Sequence, residues 1–306
     1  MPIKWLEVSV RADLEAAEAI SELFNGYGQG GAVIEQWPLT TDEGMAQSGG
    51  FVLVKAYLDA DDLPKKDKLE QALWHMRQIY PFDEPAFKVL EDADWANAWR
   101  QDYTVQHIGS HVVIAPSWLE YQAQAEDVVI TIDPGMAFGT GLHPSTRLCL
   151  VGLENTPLQG QSLLDVGTGS GVLAIYGAKQ GAYPIVAVDT DEVAVKVARE
   201  NAERNGVADR MQLATGSVIA GGYELAEDSA ALWAGPFDVI AINILAEIIA
   251  RLSPAVVSHL QPGGHVIAAG IIQDRESIVR EAWAEAGLRV VQRLQDGDWV
   301  SLIGTK

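Results

Sequence analysis

The sequence predicts an α/β protein: a doubly wound, mostly parallel sheet with an antiparallel C-terminal strand, preceded by a small α+β domain. Three observations predict it. The first 92 residues read β-α-β-β-α-β. From residue 162 onward, apolar strand-like runs alternate with helical patterns, which builds a parallel sheet covered on both faces. The chain ends on "RVVQRLQDGDWVSLIG", two strand-like runs joined at an Asp-Gly turn and therefore an antiparallel hairpin.

Taken in order, "IKWLEVSV" (3–10) is strand-like, and "ADLEAAEAISELF" (12–24) has helical spacing at Leu14, Ala17, Ile20, Leu23 and Phe24. "AVIEQW" (32–37) and "FVLVKAYL" (51–58) are β-branched, aromatic runs separated by a polar, glycine-containing loop. "KKDKLEQALWHMRQIY" (65–80) is helical and closed by Pro81, and "AFKVLE" (86–91) is a last strand. This order is the ferredoxin-like, split β-α-β sandwich, a fold with many uses and no function of its own. "DWANAWRQDY" (94–103) reads as a connecting helix. The expected organisation is therefore a domain over 1–92, a linker helix over 93–110 and a second domain over 111–306. In the second domain "HVVIAPS" (111–117) and "DVVITID" (127–133) are strands. The alternating strands follow as "SLLDVG", "PIVAVD", "MQLATG", "FDVIAINI" and "GHVIAAGI", with helices over 171–180, 191–205, 246–260 and 274–286.

At 306 residues the chain is long enough for two domains with cores of their own. Its net charge is −21, which argues against a nucleic-acid-binding surface and fits a basic partner. The acidity is concentrated: residues 1–95 carry 8 basic and 18 acidic side chains. A solvated surface or a salt-adapted proteome accounts for this as well as a docking face does. Cys149 is the only cysteine, so no internal disulfide forms, which suits a reducing cytoplasm; its apolar setting marks a core thiol. The first ten residues lack a signal-peptide run, and no apolar stretch is long enough to span a membrane. The six histidines are scattered, with His107 and His111 flanking Gly109, so no metal site is expected.

Two glycine-rich loops carry the chemistry. "DPGMAFGTGLHPSTRLCL" (133–150) runs into a helix start, as an anion-holding loop would, yet lacks the Gly-Lys-Ser/Thr ending of a phosphate loop. "LLDVGTGSGVLAIYGAK" places Asp165, Gly167, Gly169 and Gly171 between a buried strand and a helix, where backbone approaches a ligand closely. A dinucleotide fingerprint is the rival, as is a tight turn with no ligand. The Gly-x-Gly-x-Gly spacing, the acid two places before the first glycine and the antiparallel ending favour a class I S-adenosylmethionine-dependent methyltransferase. Asp189 stands at the end of the next strand, 22 residues after Gly167, where a carboxylate accepts both ribose hydroxyls of a nucleoside in either cofactor class. Its alternative role is a helix cap, a part that Asp191 fits better. Asn243 ends the fourth strand among apolar residues, costly to bury unless its amide is used. It is a group that orients an attacking amine, the N-cap of the following helix, or both.

Together "DPGMAFGTGLHPSTRLCL", "DVGTGSGVLAI", "NAERNGV" and "NILAEII", preceded by "DWANAWR" and "IAPSW", resemble the bacterial ribosomal-protein lysine methyltransferases that modify stalk-base protein eleven of the large subunit. The resemblance runs essentially end to end. It implies a small substrate-recognition domain joined to a methyltransferase domain, S-adenosyl-L-methionine as cofactor, and cofactor contacts at Thr146, Gly167, Asp189 and Asn243. Gly169 joins these from the glycine turn itself, and Asn243 is the candidate catalytic residue. Leu142 and Ser145 stand where the family commonly has Thr in the loop, and Thr168 where it commonly has Cys. Loop 133–146 then covers the cofactor, with Thr146 near the methionine moiety; Phe138 packs over it, lines the lysine entrance or only anchors the loop.

The implied reaction transfers methyl groups to lysine amines, with N-terminal amines as further acceptors, on a large-subunit ribosomal protein in the cytoplasm. The enzyme is expected to be a monomer without direct nucleic-acid or membrane contacts. A strict catalytic base is not expected. The rivals are an NAD-dependent oxidoreductase, a non-catalytic adaptor, and a methyltransferase acting on another protein. A glutamine-directed enzyme would prefer Asn-Pro-Pro-Tyr where this chain has Asn243-Ile244-Leu245-Ala246.

Overall fold

A computed structural model describes residues 4–27, 33–36, 51–78, 80–91, 104–133, 141, 143–226 and 232–306. The chain divides into two compact units, Met1–Tyr103 and Thr104–Lys306.

In the first unit the elements are β1 (Lys4–Asp13), α1 (Leu14–Tyr27), β2 (Val33–Gln36), β3 (Phe51–Asp59), α2 (Leu63–Met76) and β4 (Ala86–Glu91). The sheet order is β2-β3-β1-β4, every pair antiparallel, which is the ferredoxin-like order. Strand β1 shows why: Leu6, Val8, Val10 and Ala12 are buried at alternate positions, and they pack with Ile20 and Phe24 of α1 and Leu69 and Leu73 of α2. Helix α2 starts two residues earlier than the periodicity suggests, because the Asp62 carboxylate accepts from the Lys65 N–H (3.1 Å) and Pro64 suits a first turn. It also ends earlier, at Met76, where the Arg77 and Gln78 N–H groups close a tightening turn on Leu73 and His75. The expected connecting helix over 94–103 lies outside the described residues.

The second unit opens with a three-stranded sheet of β5 (Gln106–Ile108), β6 (Val112–Pro116) and β7 (Val128–Ile132); β5 falls inside the stretch expected as linker. There follow α3 (Pro144–Glu154), β8 (Leu163–Val166), α4 (Val172–Lys179), β9 (Ile185–Asp189), α5 (Glu192–Arg204), β10 (Met211–Ile219), β11 (Gly222–Leu225) and β12 (Phe237–Asn243). Helix α6 (Ala246–His259), β13 (Leu260–Ile272), α7 (Glu276–Ala286), β14 (Arg289–Asp296) and β15 (Trp299–Thr305) complete it. The eight-stranded sheet runs β11-β10-β9-β8-β12-β13-β15-β14. Strands β8, β9, β10, β12 and β13 are parallel, while β15 inserts antiparallel between β13 and β14.

Apolar clusters cover both faces, one built around α3 and α4, the other around α6 and α7. Cys149 lies in the first, fully buried, with burial holding its thiol protonated. Strands β8 and β12 are neighbours, but the chain leaves β8 toward one edge and β12 toward the other. The crevice outside their carboxyl ends is thus the switch point where open α/β sheets bind ligands. Among the described residues no helix is long and apolar enough to cross a membrane.

Candidate active site at the switch point

The glycine turn follows from local physics. Strand β8 is buried throughout, and the chain must reverse at its end to enter α4. Gly167, Gly169 and Gly171 all take left-handed backbone (φ 74°, 53° and 83°), which side-chain-bearing residues rarely adopt. A Cβ on Gly167 would run into the Ile244 side chain, and one on Gly171 would stand 3.1 Å from the Ala198 Cβ. The turn is fastened to β9 by the Gly167 and Thr168 N–H groups, which donate to the Val188 carbonyl at 2.8 and 3.0 Å.

Asp189 ends β9 and uses both carboxylate oxygens. One accepts from the Gly169 N–H (2.9 Å), the other from the Asp191 N–H (3.0 Å). Burial raises its pKa against the pull of these bonds. The carboxylate therefore couples the glycine turn to the end of the second parallel strand. It does not cap α5; Asp191 does, accepting from the Val193 N–H at 2.8 Å.

Asp165, two residues before the turn, is completely buried. It accepts from the Thr168 hydroxyl (2.7 Å) and the Ala174 N–H (3.3 Å), but desolvation prevails and pushes its pKa up to about 7. Its Oδ1 has no hydrogen-bond partner.

Asn243 is the last residue of β12 and is buried. Its Nδ2 donates to the Thr146 Oγ1 (3.3 Å), and its Oδ1 is a buried acceptor without a partner. Thr146, itself fully buried, sits in the first turn of α3, 97 residues away in sequence. Helix α6 is N-capped at Leu245 with no side-chain bond, so Asn243 is not its cap. The structure thus gathers Asn243 with Thr146, and Asp189 with Gly169. Gly167 lies against Ile244, the residue after Asn243. Phe138, Gly135 and Gly139 of the first glycine-rich loop lie outside the described residues.

Three contributors escaped the sequence reading. His143 caps α3: its Nδ1 accepts from the Ser145 N–H (3.2 Å) and lies 2.7 Å from the Ser145 hydroxyl, while its ring meets Trp299 edge-on at 4.3 Å. Burial, helped by Arg147, lowers its pKa to about 4, so the ring is neutral and able to accept at neutral pH. Gly270 (φ 82°) sits where β13 shifts register, and a Cβ there would strike the Ile244 carbonyl; its glycine lets the backbone after Asn243 approach. Asn201 is the third. A His at a helix start and a Gly within a strand were visible signals; Asn201 stood in the "NAERNGV" segment, but nothing in that segment showed what it would bond.

One feature suits a polar ligand: buried acceptors on Asp165 and Asn243 are left without partners beside the turn and at the end of β12. No three His, Cys, Asp or Glu side chains among the described residues stand together as a metal would need. The sheet order, with its last strand inserted antiparallel before its neighbour, is the fold of class I S-adenosylmethionine-dependent methyltransferases.

Its family is equally definite. The model for ribosomal protein L11 methyltransferase (PrmA) matches residues 4–306, and the chain belongs to that family. It is 45% identical to the ribosomal protein L11 methyltransferase of Chloroflexus aurantiacus, over 98% of this chain and 97% of that protein. Against the protein of the same name from Herpetosiphon aurantiacus the identity is 38%, over 99% of each. The crystal structure of ribosomal protein L11 methylase from Lactobacillus delbrueckii subsp. bulgaricus superposes with a TM-score of 0.58 at 35% identity. It covers 67% of this chain and 99% of that one. An NAD-dependent oxidoreductase is thereby set aside.

Proposed function

We propose that the second unit binds S-adenosylmethionine at the switch point and transfers its methyl group to lysine amines of ribosomal protein L11, with the first unit recognising that substrate. The observation that carries the reading of the site is the Asn243 side chain, buried with a free acceptor at the end of β12. The Thr146 contact engages Nδ2, which leaves Oδ1 as the acceptor available to a ligand. In this reading Asp189 receives the ribose hydroxyls, the turn at Gly167 and Gly169 admits the ligand to backbone contact, and Thr146 borders the methionine end.

When bound, S-adenosylmethionine supplies an electrophilic methyl carbon on a sulfonium. The acceptor amine must be neutral, and a free lysine has a pKa of about 10.4, so only on the order of one in a thousand is neutral at pH 7. An apolar crevice lowers that pKa by desolvation. Asn243 Oδ1 accepts from an amine N–H and holds the nitrogen lone pair in line, the kind of positioning that lowers a displacement barrier. The proton leaves to water, and no side chain need act as a strict base.

The enzyme works in this reading as a cytoplasmic monomer without direct nucleic-acid contact, a view supported by its charge of −21. The test is incubation with labelled S-adenosylmethionine and ribosomes from an undermethylated lysate, followed by mass spectrometry. Label on lysines of L11 is expected; label confined to other proteins or to RNA would overturn the assignment.

A further inference from the structure

We infer that Asn201 is a positioning residue for the cofactor: it locks Asp133, the first residue of the glycine-rich loop 133–150, to Ser170 inside the glycine turn. This rests on the reading that the turn holds S-adenosylmethionine.

Asn201 lies on the inner face of α5 and is fully buried. Its amide is saturated. Nδ2 donates to the Ser170 carbonyl (2.9 Å) and the Asp133 carbonyl (3.3 Å); Oδ1 accepts from the Asp133 N–H (2.9 Å) and from Arg204 Nη1 (2.7 Å). Two donors and two acceptors are all used, and a flipped amide would set its NH2 against two donors. One turn later Asn205 repeats part of the pattern. Its Oδ1 accepts from the Thr131 N–H (3.0 Å), and its Nδ2 donates to the Thr131 carbonyl (2.6 Å) and to the Asn201 carbonyl (2.8 Å).

Strand β7 pairs with β6 along one edge. At its other edge the N–H and C=O groups of Thr131 and Asp133 meet no strand among the described residues, and an unpaired backbone there is costly when water is excluded. Residues two apart on a strand are about 6.6 Å apart, close to the rise of about 6 Å between residues four apart on a helix. Two asparagines four apart, Asn201 in the last turns of α5 and Asn205 at its C-terminal cap, can therefore stand in for a neighbouring strand, each offering one amide to one residue. The "NAERNGV" segment supplies both. Only Asn201 has a further arm, to Ser170, which lies between Gly169 and Gly171 and is itself fully buried. Asn205 thus secures β7 alone, whereas Asn201 ties β7 to the turn.

That difference is the test. In the full chain, Asn201→Ala and Asn205→Ala should each lower the melting temperature. Calorimetric titration with S-adenosylmethionine should show affinity about tenfold weaker in Asn201→Ala and within about twofold of wild type in Asn205→Ala, the size of one buried polar contact. At saturating cofactor the kcat of Asn201→Ala should stay within about threefold of wild type, a loss in KM rather than in the chemical step. Asn201→Asp keeps an acceptor for the Asp133 N–H but has no donor for the Ser170 carbonyl, so it should share the weakened binding; should Asn201→Ala not fold, this variant carries the comparison with Asn205→Ala. Equal weakening in the Asn201 and Asn205 variants, wild-type affinity in both Asn201 variants, or a kcat that falls as far as the affinity would overturn the inference. Failure of the wild type itself to bind S-adenosylmethionine would instead overturn the assignment of the glycine turn.

Discussion

The two units of this chain bury different things. Among the described residues, the interior of the first is apolar: Val8, Val10, Ile20, Phe24, Leu58 and Leu69 fill it, and no polar or charged side chain is buried there. The second unit buries Ser145, Thr146, Asp165, Thr168, Ser170, Asn201, Asn243 and others besides. Burying a polar group opposes folding unless it is hydrogen-bonded, and most of these are bonded to backbone or to each other. Asp165 and Asn243 each keep one oxygen unpaired. An apolar core suffices to hold a surface in place. A core threaded with amides and carboxyls has a geometry to maintain; two of its unpaired atoms lie at the end of β12 and beside the glycine turn, and His265 Nδ1 and Ser301 Oγ lie elsewhere in the sheet.

The contrast can be broken or sharpened experimentally. The largest expected effect is on substrate. A fragment over 104–306, lacking the first unit, should methylate intact L11 at least about a hundredfold more slowly, the loss expected when most binding contacts vanish. Slow transfer to a concentrated lysine peptide should survive. Full activity on intact L11 would end the recognition role of the first unit and leave its acidity to solubility.

Next in size, Asn243→Ala should lower kcat by about tenfold to a hundredfold while weakening cofactor binding much less, because positioning acts on the reacting amine. Equal losses would make Asn243 a cofactor clamp, and a lower melting temperature alone would make it structural.

Asp189→Ala should weaken S-adenosylmethionine binding by about 1–3 kcal/mol, the range for stranding polar partners, here the ribose hydroxyls and the Gly169 N–H. Calorimetry with unchanged affinity would remove Asp189 from the site.

The last effect falls on stability and is confined to acid. The folded-state pKa of His143 is depressed to about 4 from 6.5, so the unfolded chain binds the extra proton first. Its stabilising contribution, on the order of 3 kcal/mol, is present above pH 6.5 and lost as pH falls toward 4. An asparagine in its place would keep a cap oxygen without titrating, so in His143→Asn the melting temperature should fall less than in wild type between pH 7 and pH 4.5. Parallel falls would show that other groups govern the acid limb.

Much of this was legible in the sequence because its determinants are local. A buried strand running into Gly-x-Gly-x-Gly needs only neighbouring residues to be recognised, and so does an acid ending the next strand, or a hairpin turning at Asp-Gly. The ferredoxin-like order was legible from alternating burial along short runs. What was not legible depends on distant partners. The Asn243–Thr146 pair spans 97 residues. The separate sheet of β5, β6 and β7 joins three residues, Gln106–Ile108, to a strand whose pattern gave no partner. Strand β11 is four residues of mixed polarity, held by pairing with β10 rather than by burial. Asn201 looks like any polar helix residue until β7 and the glycine turn are placed on either side of it.

The central claim is that the polar-cored unit holds the cofactor by its own geometry, since Thr146, Gly167, Gly169, Asp189 and Asn243 all fall within Thr104–Lys306. Calorimetric titration of S-adenosylmethionine into the 104–306 fragment tests this most directly. The account predicts a dissociation constant within about threefold of the full chain, a difference smaller than one hydrogen bond. A fragment that melts cooperatively yet fails to bind S-adenosylmethionine would contradict it.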